Sequence, residues 1–202
     1  PVRSSSLVIG NSAPSVAEIT ITPSTAVYGD TLECSWAVFD DPDGADEPDL
    51  SVVAWLVDDV EVASGTTYSG SFKGDDVVTC TVTPFDSQDY GEPVSASITI
   101  GNTAPSVTVV SISPTPAQAA DTLNCTWAGY SDVDEDADES TAAWSINGEP
   151  VLGDDTSLTG GFRDGDEVTC TVTPNDGEDT GTPVSGSIEI SNTEPSIESA
   201  SI

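Results

Sequence analysis

A seven-residue phrase, VTCTVTP, occupies Val78 to Pro84 and again Val168 to Pro174, and its surroundings recur in the same order. NSAPSV at Asn11 returns as NTAPSV at Asn102 and as NTEPSI at Asn192. DTLECSW, from Asp30 to Trp36, matches DTLNCTW, from Asp121 to Trp127. An acidic stretch follows in each copy, then a second tryptophan (Trp55, Trp144) and a Phe-Lys or Phe-Arg pair (Phe72-Lys73, Phe162-Arg163). The heptad comes next, and each copy closes with GEPVSASITIG or its match GTPVSGSIEIS. The chain is a tandem duplication. Whatever fold it adopts must close within about 90 residues and be used twice.

Local pattern makes that fold all-β. In TLECSWA, Leu32, Cys34 and Trp36 alternate with Glu33 and Ser35, and in the heptad Val78, Cys80 and Val82 alternate with Thr79 and Thr81. A period of two puts one set on the core face of a strand and the other in solvent. Asn147-Gly148 between AAWSI and EPV is a two-residue hairpin signal. Prolines at 23, 84, 93, 114, 174 and 183 fall between segments, where an interior strand would not tolerate them. No stretch sustains helical periodicity. The expectation is two antiparallel sandwiches of about seven strands each, spanning residues 11–101 and 102–191.

The ends carry further pieces of the same repeat. Residues 1–10 read like the closing strand of a repeat, and residues 192–202 like an opening strand. They are expected to be a spare N-terminal last strand and a spare C-terminal first strand. The chain begins at Pro1 and contains no methionine, which reads as a processed product or an internal segment. No apolar run is long enough for a membrane span.

Each copy has two cysteines on strands whose alternation turns both inward. The expected bonds are Cys34 to Cys80 and Cys125 to Cys170, across the two sheets. Each is worth roughly 4 kcal/mol by loop closure. Four reduced core thiols are the alternative. Zinc is disfavoured by the lack of histidine and of any Cys-x-x-Cys pair. Disulfides imply an oxidising compartment, so the chain is expected outside the cell or on its surface. The order Cys, Trp, Cys within such a repeat resembles the immunoglobulin fold. Together with DPDGAD, VTPNDG and the recurring NTAP, it is similar to the tandem immunoglobulin-like and PKD-like repeats of bacterial cell-surface proteins. That resemblance implies a module and not an activity. The second tryptophan stands farther from the first cysteine than in antibody domains, because an acidic loop is inserted. Trp36 and Trp127 are further core candidates.

The inserted loops, DDPDGADEPD and SDVDEDADES, place carboxylates at spaced positions. Asp41, Asp43 and Asp46 in the first, and Asp132, Asp134 and Asp136 in the second, can converge on a hard cation such as calcium. The alternative is a solvated loop that binds nothing tightly. Neither loop is an EF-hand, since the twelfth positions are Val52 and Ala143 instead of glutamate. Asp86 and Asp176 are expected to organise hairpin turns, and Lys73 and Arg163, one in each repeat, each to form a structural ion pair. Asn124, in Asn-Cys-Thr, is the one formal glycosylation sequon.

Three basic residues against 36 acidic ones give a net charge of -33. Nucleic acids and anionic membrane surfaces need basic side chains, so neither is an expected partner. Without histidine, a serine nucleophile has no activator and the chain is expected not to be an enzyme. The reading that remains is mechanical: a subunit or segment of an extracellular fibre, stalk or pilus-like filament. Its expected partners are copies of itself, joined head to tail when Val2 to Ile9 or Ser196 to Ile202 augments a neighbour's sheet. An adhesin or carbohydrate-binding module for glycans, with Tyr68, Tyr90 and Tyr130 as loop aromatics, is the alternative. A spacer cut from a longer surface protein is the other.

Overall fold

The structure is a computed structural model, described here over residues 10–44, 48–152 and 156–192. The chain divides into two compact units, Pro1–Asn102 and Thr103–Ile202. Each is an all-β, immunoglobulin-like antiparallel sandwich, with no helix among the described residues. The proposed terminal strands, residues 1–9 and 193–202, lie outside the described residues.

In the first unit, β2 (Thr20–Thr22), β3 (Leu32–Ser35) and β7 (Thr67–Tyr68) form a three-stranded sheet in the order β2-β3-β7. The opposite sheet runs β6-β5-β8-β9, from β5 (Val52–Val57), β6 (Val60–Ser64), β8 (Val77–Thr83) and β9 (Val94–Thr99). Those seven strands match the expected number of about seven. A short pair, β1 (Ser15–Ala17) with β4 (Val38–Asp40), is added at one end.

The second unit repeats the plan. β10 (Val109–Ser113), β12 (Thr122–Ala128) and β15 (Ser157–Thr159) form one sheet. β13 (Thr141–Ile146), β14 (Glu149–Val151), β16 (Glu167–Thr173) and β17 (Val184–Ser191) form the other. A two-residue strand, β11 (Ala117–Gln118), adds to β17 in parallel. No alternation in two residues could announce that pairing.

The core lies where the alternation put it. Leu32, Cys34, Val78, Cys80 and Val82 are buried in the first unit, and Leu123, Cys125, Val168, Cys170 and Val172 in the second. Disulfides join Cys34 to Cys80 and Cys125 to Cys170, each from the three-stranded sheet to the opposite one, with Cα atoms 6.3 Å apart. Trp55 stands opposite Cys80 in the β5–β8 register, and Trp144 opposite Cys170. A tryptophan thus packs beside each bridge, and both indoles are buried. Trp36 and Trp127 are different. They are only half-buried at the edge of the core, and their indole nitrogens donate outward to Asp49 and Asp138.

Outer faces carry hydroxyl pairs across neighbouring strands. Thr79 meets Ser97 and Thr81 meets Ser95, each at 2.8 Å, and Thr169–Ser187 and Thr171–Ser185 repeat the pattern. Such cross-strand pairs suit exposed sheet positions and explain the Thr and Ser of the heptad and the closing strand. The hairpin at Asn147-Gly148 has both residues at positive φ, as the two-residue turn requires. Its counterpart is Asp58-Asp59, also at positive φ without a glycine. The side chains stabilise both turns: Asp58 accepts the Val77 amide and Asn147 accepts the Glu167 amide.

Candidate functional site

The acidic loops and the recurring Asn-x-Ala-Pro phrase come together at one end of each unit. In the first unit, β4 ends at Asp40 and the chain enters a turn in which Asp41 Oδ1 accepts the Asp43 amide at 2.8 Å. Asp43 Oδ2 in turn accepts the backbone amide of Ser12 at 2.6 Å. The preceding residue, Asn11, donates its side-chain amide to both Asp86 and Asp89 at 2.9 Å. Gln88 donates back to Asn11 Oδ1 at 3.2 Å. Two adjacent residues are therefore held by two separate acidic turns. Pro14 follows and is buried. Its carbonyl oxygen lies where a Cβ on Gly91 would stand, 1.8 Å away, so this contact requires glycine.

The second unit builds the same grip. Asp132 Oδ1 accepts the Asp134 amide at 2.7 Å and the Asp136 amide at 3.4 Å. Asp134 Oδ2 accepts the Thr103 amide at 2.6 Å. Gly181 lies against the Pro105 carbonyl, where a Cβ would come within 1.9 Å. Asn-x-Ala-Pro is thus a docking phrase as well as a joint between repeats. Sequence reasoning identified the acidic loops but missed Asn11, Ser12, Thr103, Gly91 and Gly181 as their partners. The usable signal was that the phrase, the acidic loop and this glycine all recur together.

Of the residues expected to gather a cation, Asp132, Asp134 and Asp136 are brought together, with one oxygen of each within 4.8 Å of the others. Asp41 and Asp43 share a turn, whereas Asp46 lies outside the described residues. Asp86 and Asp176 organise turns as expected: Asp86 Oδ1 accepts the Gln88 and Asp89 amides, and Asp176 Oδ1 the Glu178 and Asp179 amides. Both are buried, Asp86 completely. At Lys73 and Arg163 the backbone amides donate to Asp76 and Asp166, and, after the Asn147 side chain and that amide, the Arg163 charge also helps hold Asp166 below the usual carboxylate range. Asn124 is exposed on the central strand of its sheet. It borders a shallow groove of 430 Å³ with Cys125, Thr126, Trp127 and Thr156.

Electrostatics follow these contacts. The Asn11 side chain and the Asp89 and Gln88 amides hold Asp86 below the usual carboxylate range, against burial. Burial opposes ionisation of Asp49 and Asp138, but bonds from Ser51 and Trp36, and from Ser140 and Trp127, outweigh it and hold both low. The Tyr130 hydroxyl is pushed up by burial and by Asp132, Asp138, Asp176 and Asp136 around it.

These directions predict a pH response. The folded pKa of Asp86 lies below the unfolded value of about 3.9. Its contribution is therefore fully present above that value and is lost as pH falls through it toward the folded pKa. Asp86→Asn should be less stable than the parent at neutral pH, with the difference narrowing below about pH 4. Urea midpoints from tryptophan fluorescence between neutral and acid pH would show this. A constant difference across the range would count against it.

The aromatic side chains weighed as ligand contacts are mostly occupied. Tyr68 packs against the core between Trp55 and Phe72, with tilted rings and centroids 5.8 Å from each. Tyr90 stacks on Phe85 at 4.2 Å yet stays 60% exposed. The Tyr130 hydroxyl donates to the Ala137 carbonyl at 3.2 Å.

No protein-family model and no curated protein matches the chain. Solved structures of tandem β-sandwiches do resemble it. One is a two-domain fibronectin type III segment of chicken tenascin, at 13% identity and a TM-score of 0.43, matching 86% of this chain and 98% of that one. Another is the FN1–FN3 portion of chicken CNTN1, at 13% identity and 0.33, matching 90% of this chain and 68% of that one. The fold assignment rests on the chain's own strand order and disulfides.

Proposed function

We propose that the chain is a non-enzymatic structural segment of an extracellular fibre, stalk or pilus-like filament. It would be made of surface repeats of the bacterial immunoglobulin-like and PKD-like kind and assembled head to tail by strand augmentation. The observation that carries this reading is that each unit repeats the same means of holding itself together. Each has a disulfide between sheets, a tryptophan beside it, and acidic turns that grip the segment leading into the sandwich. Carboxylates at that end serve as acceptors for backbone amides, and the chain has no histidine to act as a general base. Structural disulfides fit an oxidising exterior. A net charge of -33 keeps such a surface soluble and resists non-specific adhesion.

Residues 1–10 repeat the sequence pattern of the closing strands β9 and β17, which makes them suitable for adding to a neighbour's sheet. Deleting residues 1–10 should abolish polymers seen by negative-stain electron microscopy while both sandwiches stay folded by circular dichroism. Polymers of undiminished length after the deletion would overturn strand donation from this segment. Single particles from both the parent and the deletion variant would overturn the filament reading altogether.

A further inference from the structure

We propose that the acidic loop of each unit holds a divalent cation, Ca²⁺ by the chemistry of its ligands, through Asp132, Asp134 and Asp136 in the second unit and Asp41 and Asp43 in the first. Two independent observations carry this. The first is convergence: Asp132, Asp134 and Asp136 each place an oxygen within 4.8 Å of the others. Oxygens on opposite sides of a Ca²⁺, each 2.3–2.6 Å from it, stand about 5 Å apart. The second is a carboxylate oxygen shut off from solvent with nothing against it, on a half-buried side chain. Asp132 Oδ2 is fully buried without a hydrogen-bond partner, while Oδ1 of the same carboxylate serves the loop amides. The equivalent atom of the first unit, Asp41 Oδ2, is also buried and unpartnered, with Oδ1 serving the Asp43 amide.

A buried carboxylate oxygen with no donor is costly, and both copies of the turn leave the same atom in that state. A cation would satisfy it, and the chain has only three basic residues to supply one. The donors are carboxylate oxygens. The chain has no histidine, and its four cysteines are all in disulfides, which excludes the soft-metal sets. Mg²⁺ requires a near-ideal octahedron and keeps most of its water, whereas loop carboxylates of variable denticity suit Ca²⁺. The same loops grip the leading segments through Ser12 and Thr103, so the ion would stiffen that grip. Only this stiffening role rests on the fibre reading; the binding does not.

The test uses the full chain, stripped with EDTA and titrated with CaCl₂ by calorimetry at fixed ionic strength. One Ca²⁺ per unit is expected, with a rise in melting temperature that NaCl of equal ionic strength does not reproduce. Asp132→Asn keeps the side-chain size and the Oδ1 acceptor. It should weaken binding in the second unit by roughly tenfold or more and leave the first unit's equivalent intact; Asp41→Asn should do the reverse. Should Asp132→Asn fail to fold, Asp136→Asn replaces it, because Asp136 is exposed. Terbium luminescence provides a second readout, assigned to a unit by its loss in Asp132→Asn or in Asp41→Asn. No heat and no melting shift with Ca²⁺, or undiminished binding in both Asp→Asn variants, would overturn the site. Equal affinity for Mg²⁺ would overturn its assignment to Ca²⁺. Loss of polymers on deleting residues 1–10 would leave this result untouched, so the two proposals can fail separately.

Discussion

Replacing Cys125 and Cys170 together by alanine should destabilise the second unit by roughly 2–5 kcal/mol. The bridged residues are 45 apart, and 46 apart for Cys34 and Cys80. Opening a loop of that size returns about 4 kcal/mol of chain entropy to the unfolded state. A whole domain is stable by only about 5–15 kcal/mol, so this one bond carries a large share of it. Both cysteines are also core residues, 2% and 0% exposed, so alanine loses packing as well as the cross-link. Urea unfolding followed by tryptophan fluorescence should show one transition shifted to low denaturant and one unchanged, since each unit has its own core and bridge. Full reduction should shift both. Midpoints that survive reduction would show that the bridges contribute little.

Trp55→Ala should cost the first unit roughly 3–5 kcal/mol, the range for emptying a buried aromatic site. The indole is 0% exposed, packs against Tyr68, and donates to the Gly65 carbonyl at 2.8 Å. The truncation therefore leaves a cavity beside the disulfide and removes the donor from that carbonyl. Trp36→Ala is the internal control. Trp36 is half-buried with its nitrogen on Asp49, so its loss should be clearly smaller. Denaturant midpoints for the two variants, with unchanged m-values, check the ranking. Equal losses would mean that the outer tryptophan is as much a part of the core as the inner one.

The contrast between the two tryptophans marks where sequence reading stopped. Alternation placed Trp36 on the inward face with Cys34, and that much is right. Its position at the margin, and the carboxylate that accepts its proton, depend on a loop that returns from elsewhere. Lys73 and Arg163 show the same limit: the aligned cations were visible, but the backbone bonds from these residues to Asp76 and Asp166 were not. Tyr68 was weighed as a loop aromatic and is a core contact, because β7 is too short for its alternation to show.

The longer strands, their facing and which cysteines could pair were legible in the sequence alone, because a side chain's face follows from backbone geometry within two or three residues, and duplication stated each answer twice. What only the tertiary structure decided is the grip on the leading segment. Asn11 reaches a carboxylate 75 residues away, and Gly91 is required by a carbonyl that arrives from the start of the same unit. Such contacts have no local period, since they are fixed by the closure of the whole sandwich. The acidic loops were readable as charge, but the buried, unpartnered oxygens on which the proposed cation site rests exist only once the chain has folded around them.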